Sequence, residues 1–369
     1  MTVDPDHAGT RAPIRTVVLG FGLSGRVFHA PFIAADPAFE LAAVVTTDEQ
    51  RRADALREYP DVQLLDSAEE VWARADEFDL VVIGTPGATH ATLAGAALHA
   101  GLHVLTDKPF VPTAVEGRDL IARAEQAGRC LTVFQNRRWD GDFRTVRSLV
   151  DTGELGEVRR FESRFEKWQP NPRDSWKTAG TPADGAGVLY DLGSHVIDQA
   201  LQLFGPVATH DGEFDMHVEI DRRRSQTNSE DDVFLALHHD SGVRSHLWMS
   251  AVRPNPGPRF QVVGSEAGYT SWGIDGQEQA LKDGVRPGDP GYGTTPSENW
   301  GTVSDGERSR QVETLVGDYS DFYRGLAAAI HGTGPLPVDP ADSVRVLEII
   351  EQAFARGQVQ QTGTADGSA

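Results

Sequence analysis

The residues best suited to chemistry in this chain are Asp107-Lys108-Pro109 and, further on, Asp191 and His195. Lysine is scarce, with four in the whole chain against thirty arginines. Lys108 follows a short apolar run, and an ammonium at the end of a strand can stabilise negative charge developing on an oxygen. Asp191 and His195 stand four residues apart, so on a helix they share one face. With an ordinary pKa of about 6.5, an imidazole suits proton transfer near neutral pH. Lys108, Asp191 and His195 therefore form a candidate catalytic set.

The helix predicted to carry Asp191 and His195 runs from Leu189 to Phe204 and is stopped by Gly205-Pro206. Asp198 continues the polar face, so an exposed helix face with an incidental Asp–His pair is the alternative interpretation. Glycine inside a helix costs roughly 1 kcal/mol relative to alanine. Gly193 between the polar residues therefore predicts that another group approaches this backbone closely.

A glycine motif near the N-terminus stands between a predicted strand, Thr16 to Leu19, and a predicted helix, Val27 to Ala35. In that context G-x-G-x-x-G is interpreted as a dinucleotide-binding fingerprint, and a plain glycine turn is the alternative. The glycines allow a tight turn and close approach of the backbone to a pyrophosphate at the helix N-terminus. The residues of this loop are Gly20, Phe21, Gly22, Leu23, Ser24 and Gly25.

The end of the second strand, Leu41 to Val45, bears on the choice of cofactor. Sites that prefer NAD usually carry an acid there, about 20 residues past the glycines, to bind the ribose 2′-hydroxyl. This chain has Thr46 and Thr47 instead, followed by Arg51 and Arg52. Hydroxyls and guanidinium groups suit a 2′-phosphate, so NADP is favoured over NAD. The alternative is that both arginines are simply solvated at the start of a helix.

Further strand–helix units complete a first domain. Strands are predicted at Leu80 to Ile83, Leu102 to Leu105 and Cys130 to Phe134, with helices between them, the pattern of a doubly wound parallel sheet. The loops that reach Thr85, Lys108 and Asn136 should then open on one edge.

The second half changes character from Val158 onwards. Alternating runs with short turns, such as Phe234 to Leu237 and Val243 to Met249, predict a predominantly antiparallel open sheet in an α+β domain. His238 and His239 are adjacent in sequence and point to opposite faces of a strand, so no metal site is predicted. The predicted domains are 14–138 and 139–358, with flexible tails at 1–12 and 359–369. The Gly- and Pro-rich segment 283–300 is predicted as a loop that either closes over the substrate or lies on the surface.

Composition narrows the class of protein. A net charge of −21 argues against nucleic acid as the main partner, since phosphate binding needs a basic surface. No apolar run approaches the ~20 residues of a membrane helix, and Met1 to Ala12 lacks the apolar core of a secretory signal. The single Cys130 fits a cytoplasmic protein without disulfides, and it is predicted as an inert thiol in a buried strand.

Four stretches, taken in chain order, resemble the Gfo/Idh/MocA oxidoreductase family over about residues 14–359. They are Gly20 to Gly25, Thr85-Pro86 with His90, Asp107-Lys108-Pro109, and Gly185-x-Gly187-x-x-x-Asp191-x-Gly193-x-His195-x-x-Asp198. The resemblance implies a Rossmann domain, a second domain whose open sheet forms a homodimer or homotetramer interface, and Lys108 as the catalytic lysine. The sequence departs from the family in having Asp107 where glutamate commonly precedes that lysine. The stretches Gln135 to Phe143 and Gly276 to Pro287 resemble the branch with NADP-dependent scyllo-inositol dehydrogenases.

Together these observations predict hydride transfer between NADP and a CH–OH group of a cyclic polyol or sugar, with His195 as base. Alternatives are another sugar or keto-sugar reaction, NAD-dependent glycoside cleavage, and a non-catalytic protein that senses the dinucleotide. The predicted substrate contacts are Lys108, Trp168, Trp176, Asp191 and His195, with Lys177 beside them, although either tryptophan is equally compatible with a buried core position. The predicted cofactor contacts are Gly20, Phe21, Gly22, Leu23, Ser24, Gly25, Thr46, Thr47, Arg51, Thr85, Pro86, His90, Asp107, Lys108, Pro109 and Asn136.

Overall fold

The computed structural model describes residues 11–172, 179–224 and 226–357. Within these ranges the first domain is built on a parallel sheet of six strands in the order β3-β2-β1-β4-β5-β6. Its strands are β1 (Ile14–Leu19), β2 (Phe39–Val45), β3 (Gln63–Leu65), β4 (Leu80–Ile83), β5 (His103–Thr106) and β6 (Leu131–Val133). This is the doubly wound Rossmann sheet that the alternating pattern predicts.

The register of the sheet aligns the ends of five strands. Leu19 pairs with both Val45 and Ile83, Ile83 pairs with Thr106, and Thr106 pairs with Val133. The loops that follow these strands therefore begin in one row at the carboxyl edge, where open α/β sheets bind their ligands. The prediction that these loops open together is confirmed.

Helices cover both faces of this sheet, which explains why a central strand such as β4 is buried at every position. The fifth helix shows how local sequence sets the boundaries. Thr113 and Glu116 form a capping box at its start, and Gly128, with φ +60°, ends it. The helices here are α1 (Ala30–Ala35), α2 (Glu49–Glu58), α3 (Ala68–Ala73), α4 (His90–His99) and α5 (Ala114–Ala127).

The second domain contains a mixed sheet of eight strands in the order β10-β11-β12-β7-β13-β14-β15-β16 among the described residues. Among the described strands of this sheet only the β7–β12 pair is parallel, so the predicted open, predominantly antiparallel sheet is confirmed. Its strands are β7 (Val158–Glu166), β10 (Met216–Asp221), β11 (Asp232–His238), β12 (Arg244–Ser250), β13 (Phe260–Gly264), β14 (Gly268–Ser271), β15 (Gly301–Ser304) and β16 (Ser309–Val312), with a separate ribbon of β8 (Thr209–His210) and β9 (Glu213–Phe214).

Five helices accompany this sheet in the described part of the chain. They are α6 (Gly141–Asp151), α7 (Ser194–Phe204), α8 (Gln277–Lys282), α9 (Ser320–Ile330) and α10 (Pro340–Arg356). The segment 283–300 is largely loop, as predicted, apart from one short turn of helix at Ser297–Asn299. None of the described helices is long and apolar enough to cross a membrane.

Two expectations about local structure are corrected. Cys130 is half-buried and precedes β6 rather than lying inside a buried strand; burial raises the pKa of its thiol. The helix predicted from Leu189 to Phe204 is not one regular helix. Leu189–Gly193 forms a wide π-helical turn that leads into α7.

The last two helices return to the first domain. Tyr323 of α9 donates a hydrogen bond to the carbonyl of Phe28 and stacks on Phe32 at a ring distance of 5.2 Å. Helix α10 packs against α5, and Thr132 of β6 donates to the carbonyl of Val338 just before α10, at 2.7 Å. The C-terminal part of the chain thus completes the core beside the first sheet.

Candidate active site

Lys108 and Asp191 meet where the two domains join. Lys108 Nζ donates to Asp191 Oδ1 at 2.8 Å and to the Asp191 carbonyl oxygen at 2.6 Å. The two side chains are 14% and 21% exposed, so the ion pair is largely shielded and still accessible from one side. A shielded cation at the carboxyl edge of a parallel sheet can stabilise charge on a substrate oxygen. Two of the three predicted catalytic residues are therefore in direct contact.

Asp107 connects this lysine to the glycine loop. Its carboxylate accepts hydrogen bonds from the Ser24 hydroxyl and, at 2.7 Å, from the backbone N–H of Lys108. The loop predicted to bind the dinucleotide and the loop that carries the lysine are thus held together. The Lys108–Pro109 peptide bond is cis. Aspartate in place of the family's usual glutamate is long enough to make both contacts.

The glycine loop is shaped to fit a dinucleotide. Gly20 has φ +89°, a conformation that other residues rarely adopt, and a Cβ atom on Gly25 would lie 2.0 Å from the carbonyl oxygen of Gly20. The space around Gly22 is open. A Cβ atom built on Gly22 would lie 3.8 Å from a guanidinium nitrogen of Arg51. Tight glycines and an open stretch of backbone close to a guanidinium group suit a pyrophosphate-containing ligand. The Phe21 ring packs inward against Tyr59, whereas Leu23 is 57% exposed.

The two arginines after β2 have different environments. Arg52 donates to the Thr46 carbonyl and to Asp66 at 2.6 Å, so its charge is already paired. The Arg51 side chain is exposed, and within the described part of the chain its guanidinium has no hydrogen-bond or ion-pair partner. Thr46 is 7% exposed, and Thr47 beside it is exposed. Of these two arginines, Arg51 is thus the one whose charge is available to a ligand.

His90 joins the loops after β4 and β5. One ring nitrogen is 2.9 Å from the Pro109 carbonyl oxygen, and the other is 2.9 Å from the Thr85 carbonyl oxygen. At 1% exposure its position is beneath the site, and its contact with a cofactor stays a prediction. Pro86 is exposed and Asn136 is 7% exposed, each in a loop at the same edge of the sheet.

His195 lies in the first turn of α7 and is 4% exposed, with its ring 6.2 Å from that of Phe165. The wide turn places Asp191 immediately before this helix, so the two residues stay on adjoining turns. Gly193 was expected to admit a close approach to its backbone. A Cβ atom there would lie 2.8 Å from the Leu189 side chain and 3.7 Å from that of Met249, so a larger residue would require the Leu189 side chain to shift.

Asp198 was grouped with the polar face of this helix, and the structure assigns it a different environment. Its carboxylate is 2% exposed and receives two hydrogen bonds from Arg138, at 2.5 and 2.8 Å. Burial raises the pKa of Asp198, against the opposing effect of Arg138. This bidentate pair fixes α7 to the segment after β6 and leaves Asp198 outside the acid/base set.

Sequence patterns did not reveal a second ion network that borders the site. Arg137 is 6% exposed and donates to Asp140 at 3.1 Å and to Glu278 of α8 at 2.7 Å. Lys282 is also paired with Glu278, and the charges of Arg137 and Lys108 are among the causes that lower the pKa of Glu278. Helix α8 packs beside the start of the helical segment after the glycine loop. Arg137 and Glu278 are 141 positions apart in sequence, so no local motif predicts their contact.

The predicted tryptophan contacts remain predictions. Trp168 follows β7, forms an isolated bridge with Val252, and is 55% exposed. A core position for Trp168 is therefore excluded. Trp176 and Lys177 lie outside the described residues. His239 is buried and contacts Ser245 and a backbone carbonyl. Within the described ranges no three His, Cys, Asp or Glu side chains are grouped to hold a metal ion.

The loop after α8 reaches the first domain. Arg286 lies 3.7 Å from Glu58 and 3.5 Å from the Tyr59 hydroxyl, both at the end of α2. Tyr292 further along is 8% exposed, with its ring 6.4 Å from that of Phe32. The second domain thus extends along the first near the glycine loop. Whether this segment closes over a substrate stays a prediction.

The first domain has a six-stranded parallel sheet with a dinucleotide-binding loop, and its Lys108 contacts Asp191 of a second domain with an open sheet. This is the arrangement of a two-domain oxidoreductase. Comparison with known families agrees. Residues 14–135 match the description "Oxidoreductase family, NAD-binding Rossmann fold", and residues 147–362 match "Oxidoreductase family, C-terminal alpha/beta domain". The chain belongs to the Gfo/Idh/MocA oxidoreductase family, as its motifs indicated.

Individual relatives extend over most of the chain. An uncharacterized oxidoreductase of Escherichia coli, YdgJ, is 38% identical over 92% of this chain and 94% of its own length. The scyllo-inositol 2-dehydrogenase (NADP(+)) IolW of Bacillus subtilis is 31% identical over 95% of each chain. The crystal structure of an oxidoreductase from Bacillus cereus, 26% identical, superposes with a TM-score of 0.81 over 95% of this chain and 99% of the other.

Proposed function

We propose that this protein transfers hydride between NADP and a CH–OH group of a cyclic polyol or sugar, with an inositol as the leading substrate. The observation that carries the proposal is the contact of Lys108 with Asp191 at the carboxyl edge of the dinucleotide sheet, one turn before His195. The name of the relative IolW supports the inositol and the NADP. Other sugars and keto-sugars are the alternatives within the same reaction class.

Three residues of this chain, His195, Lys108 and Asp191, have separate roles at the reacting carbon. A secondary alcohol releases hydride readily only when its hydroxyl proton leaves as the carbonyl forms. His195 accepts that proton, since an imidazole is effective near neutral pH. Lys108 donates a hydrogen bond to the reacting oxygen and stabilises its developing negative charge. Asp191 binds the ammonium group and directs it.

A bound nicotinamide dinucleotide supplies the hydride acceptor or donor. Gly20 to Gly25 provide the backbone against which its pyrophosphate would lie, with Asp107 holding Ser24 in place. Arg51, exposed and without a partner in the described ranges, is the group that would bind a 2′-phosphate. Arg52 is already paired with Asp66 and binds the Thr46 carbonyl at the end of β2.

A panel assay tests the proposal. Purified protein is mixed with NADP or NAD and with myo-inositol, scyllo-inositol, glucose and other aldoses, and the absorbance of the reduced cofactor is followed. We expect reduction with at least one inositol and faster turnover with NADP than with NAD. Turnover with aldoses alone would replace the inositol by a sugar. Tight binding of NADPH without turnover on any substrate would favour a dinucleotide-sensing protein.

We also propose that copies of this chain associate through the outer face of the second sheet. Phe234 and Trp248 are paired across β11 and β12, with rings 5.0 Å apart, and the Arg164 guanidinium lies 3.9 Å from the Trp248 ring. These aromatic side chains are only partly buried within the chain. Light scattering should give a dimer or tetramer for the wild type and a smaller species for Trp248→Glu.

A further inference from the structure

Glu230 is a buried carboxyl group to which the proposed reaction assigns no role. It is 3% exposed and lies in the segment that leads into β11. Oε1 accepts a hydrogen bond from the backbone N–H of Leu189 at 2.9 Å. Among the residues the structure describes, Oε2 has no hydrogen-bond partner. Burying a carboxyl with one unsatisfied oxygen is unfavourable and needs a reason.

Two hydrogen bonds join Glu230 to the start of the turn that carries Asp191. Its side chain binds Leu189 N–H, and its backbone carbonyl accepts from Val188 N–H at 3.4 Å. The turn Leu189–Gly193 has no side-chain cap of its own. Glu230 therefore supplies the acceptor that a capping residue would normally provide.

The backbone opposite is shaped to admit this carboxyl. Gly187 has φ +101°, and a Cβ atom there would lie 2.2 Å from Oε1 of Glu230. Any other residue at this position would displace the carboxyl or be strained. The glycine before the turn is thus explained by Glu230.

The position of the turn bears directly on Lys108. Besides the Asp191 carboxylate, Lys108 Nζ is bound to the backbone carbonyl of Asp191 at 2.6 Å, and Asp191 N–H donates to the Gly187 carbonyl at 2.9 Å. A shift of the backbone at Leu189, two residues earlier, would move the acceptor of the ammonium group. A displacement of about 1 Å in a catalytic group can cost roughly a hundredfold in rate.

We propose that Glu230 is a positioning residue that holds the turn Leu189–Gly193, and through it the carbonyl and carboxylate of Asp191, in place for Lys108. The inference rests on the proposed function in assigning Lys108 a catalytic role. Glu230 itself touches none of the reacting groups in this assignment. Its isostere, glutamine, keeps an oxygen that accepts from Leu189 N–H, whereas alanine and the shorter aspartate do not reach it.

The experiment measures Lys108 directly, without substrate. The intact protein is treated with trace acetic anhydride, and acetylation of Lys108 relative to Lys282 on the same molecule is quantified by mass spectrometry. With four lysines in the chain, the peptides are readily assigned. The variants are E230A, E230D and E230Q, with the exposed Glu219→Gln as matched control.

We expect acetylation of Lys108 relative to Lys282 to rise roughly fivefold to tenfold in E230A and E230D. A change of this size corresponds to the loss of one hydrogen bond, here the bond between Glu230 and Leu189 N–H. E230Q and E219Q should keep the wild-type ratio. On a substrate from the panel, E230A and E230D should lose at least about tenfold in kcat, while the KM for NADPH changes little. E230D serves as the test if E230A does not fold.

Unchanged labelling in both E230A and E230D would overturn the inference. A ratio in E230Q as high as in E230A would also overturn it, because the position would then need a charge rather than an acceptor. If the wild type turned over no substrate in the panel, the proposed function would fail, while the labelling ratio would still decide the role of Glu230.

Discussion

The ammonium group of Lys108 is bound to two oxygens of one residue, the carboxylate and the backbone carbonyl of Asp191, at 2.8 and 2.6 Å. The lysine follows a strand of the first domain, and the aspartate begins a helix of the second. The geometry of the candidate site therefore depends on how the two domains are joined. A substrate oxygen approaching the lysine would share this ammonium with Asp191.

Replacement of Lys108 by alanine should remove turnover and leave cofactor binding intact. Loss of one donor that stabilises charge in the transition state typically costs a hundredfold to a thousandfold, about 3 to 4 kcal/mol. NADPH affinity, measured by fluorescence titration, should stay within about threefold, since the glycine loop supplies most of its contacts. His195→Ala should behave similarly. The matched control is Lys282→Ala, which removes a lysine paired with Glu278 on α8. Near-normal turnover in both active-site variants would contradict the assignment.

Arg51→Ala should weaken NADPH binding and leave NADH binding unchanged. A charged hydrogen bond to a phosphate contributes about 1.5 to 3 kcal/mol, so the Kd for NADPH should rise at least about tenfold. Arg52→Ala is the control, because that guanidinium is already bound to Asp66 and to the Thr46 carbonyl. Thr46→Asp should shift the preference toward NAD. If Arg51→Ala left the ratio of the two affinities unaltered, this arginine would not be the 2′-phosphate ligand.

Asp198→Asn should reduce the stability of the fold. The Asp198 carboxylate and the Arg138 guanidinium are 2% and 8% exposed, and removing one charge of a buried pair typically costs 3 to 5 kcal/mol. Urea unfolding should show that loss, whereas Asp342→Asn, at the more exposed partner of Arg138, should have a much smaller effect. A stable Asp198→Asn protein with impaired turnover would instead assign Asp198 a role in the reaction.

Glu230→Gln should stabilise the protein in a pH-dependent way. Burial raises the pKa of Glu230 from its ordinary value of 4.5 to about 8, with a smaller contribution from the neighbouring Asp231. Between these values only the folded state keeps the proton, so the wild type loses stability as the pH rises, by about 1.4 kcal/mol per pH unit from this group. Glutamine removes that loss.

Denaturant unfolding of wild type and Glu230→Gln at pH 5, 6.5 and 8 checks this. The two should be closest at pH 5, with the difference growing toward pH 8. A constant difference across the range would mean that Glu230 titrates normally in the folded protein.

Much of the first domain could be predicted because its signals are local. The strand predicted at Leu80 to Ile83 has those limits in the structure, since a run of four apolar residues has one reasonable place in a parallel sheet covered on both faces. The glycine loop and the lysine loop were placed at one edge because parallel strands must end there. Three strands of the second sheet, β10, β15 and β16, were missed. The side chains of β10 and β16 are mostly exposed or partly exposed, so these sequences lack the apolar alternation that identifies a half-buried strand. Strand β15 is buried at alternate positions, but Val303 is its single large apolar residue, too weak a signal in four residues.

Within the candidate site, the residue types were predictable and most of the partners were not. Arg51 and Arg52 are identical in sequence terms, and only the folded chain shows that Asp66 neutralises one of them. Glu230 binds a backbone group 41 residues away, so no local pattern predicts its contact. The glycine at 187 was the available signal in the sequence, and its role becomes clear only when its neighbour in space is known.

The return of α10 to the first domain has a consequence for dissecting the molecule. The helix packs on α5, where Glu348 is paired with Arg118 at 2.5 Å and Glu351 accepts from the backbone N–H of Ala114 at 2.7 Å. Residues near the C-terminus therefore serve as structural cover for a sheet that ends some two hundred positions earlier. Expression of the first 138 residues alone would strip that cover and leave an apolar flank in water. The six-stranded sheet is contiguous in sequence, yet part of its packing comes from the other end of the chain.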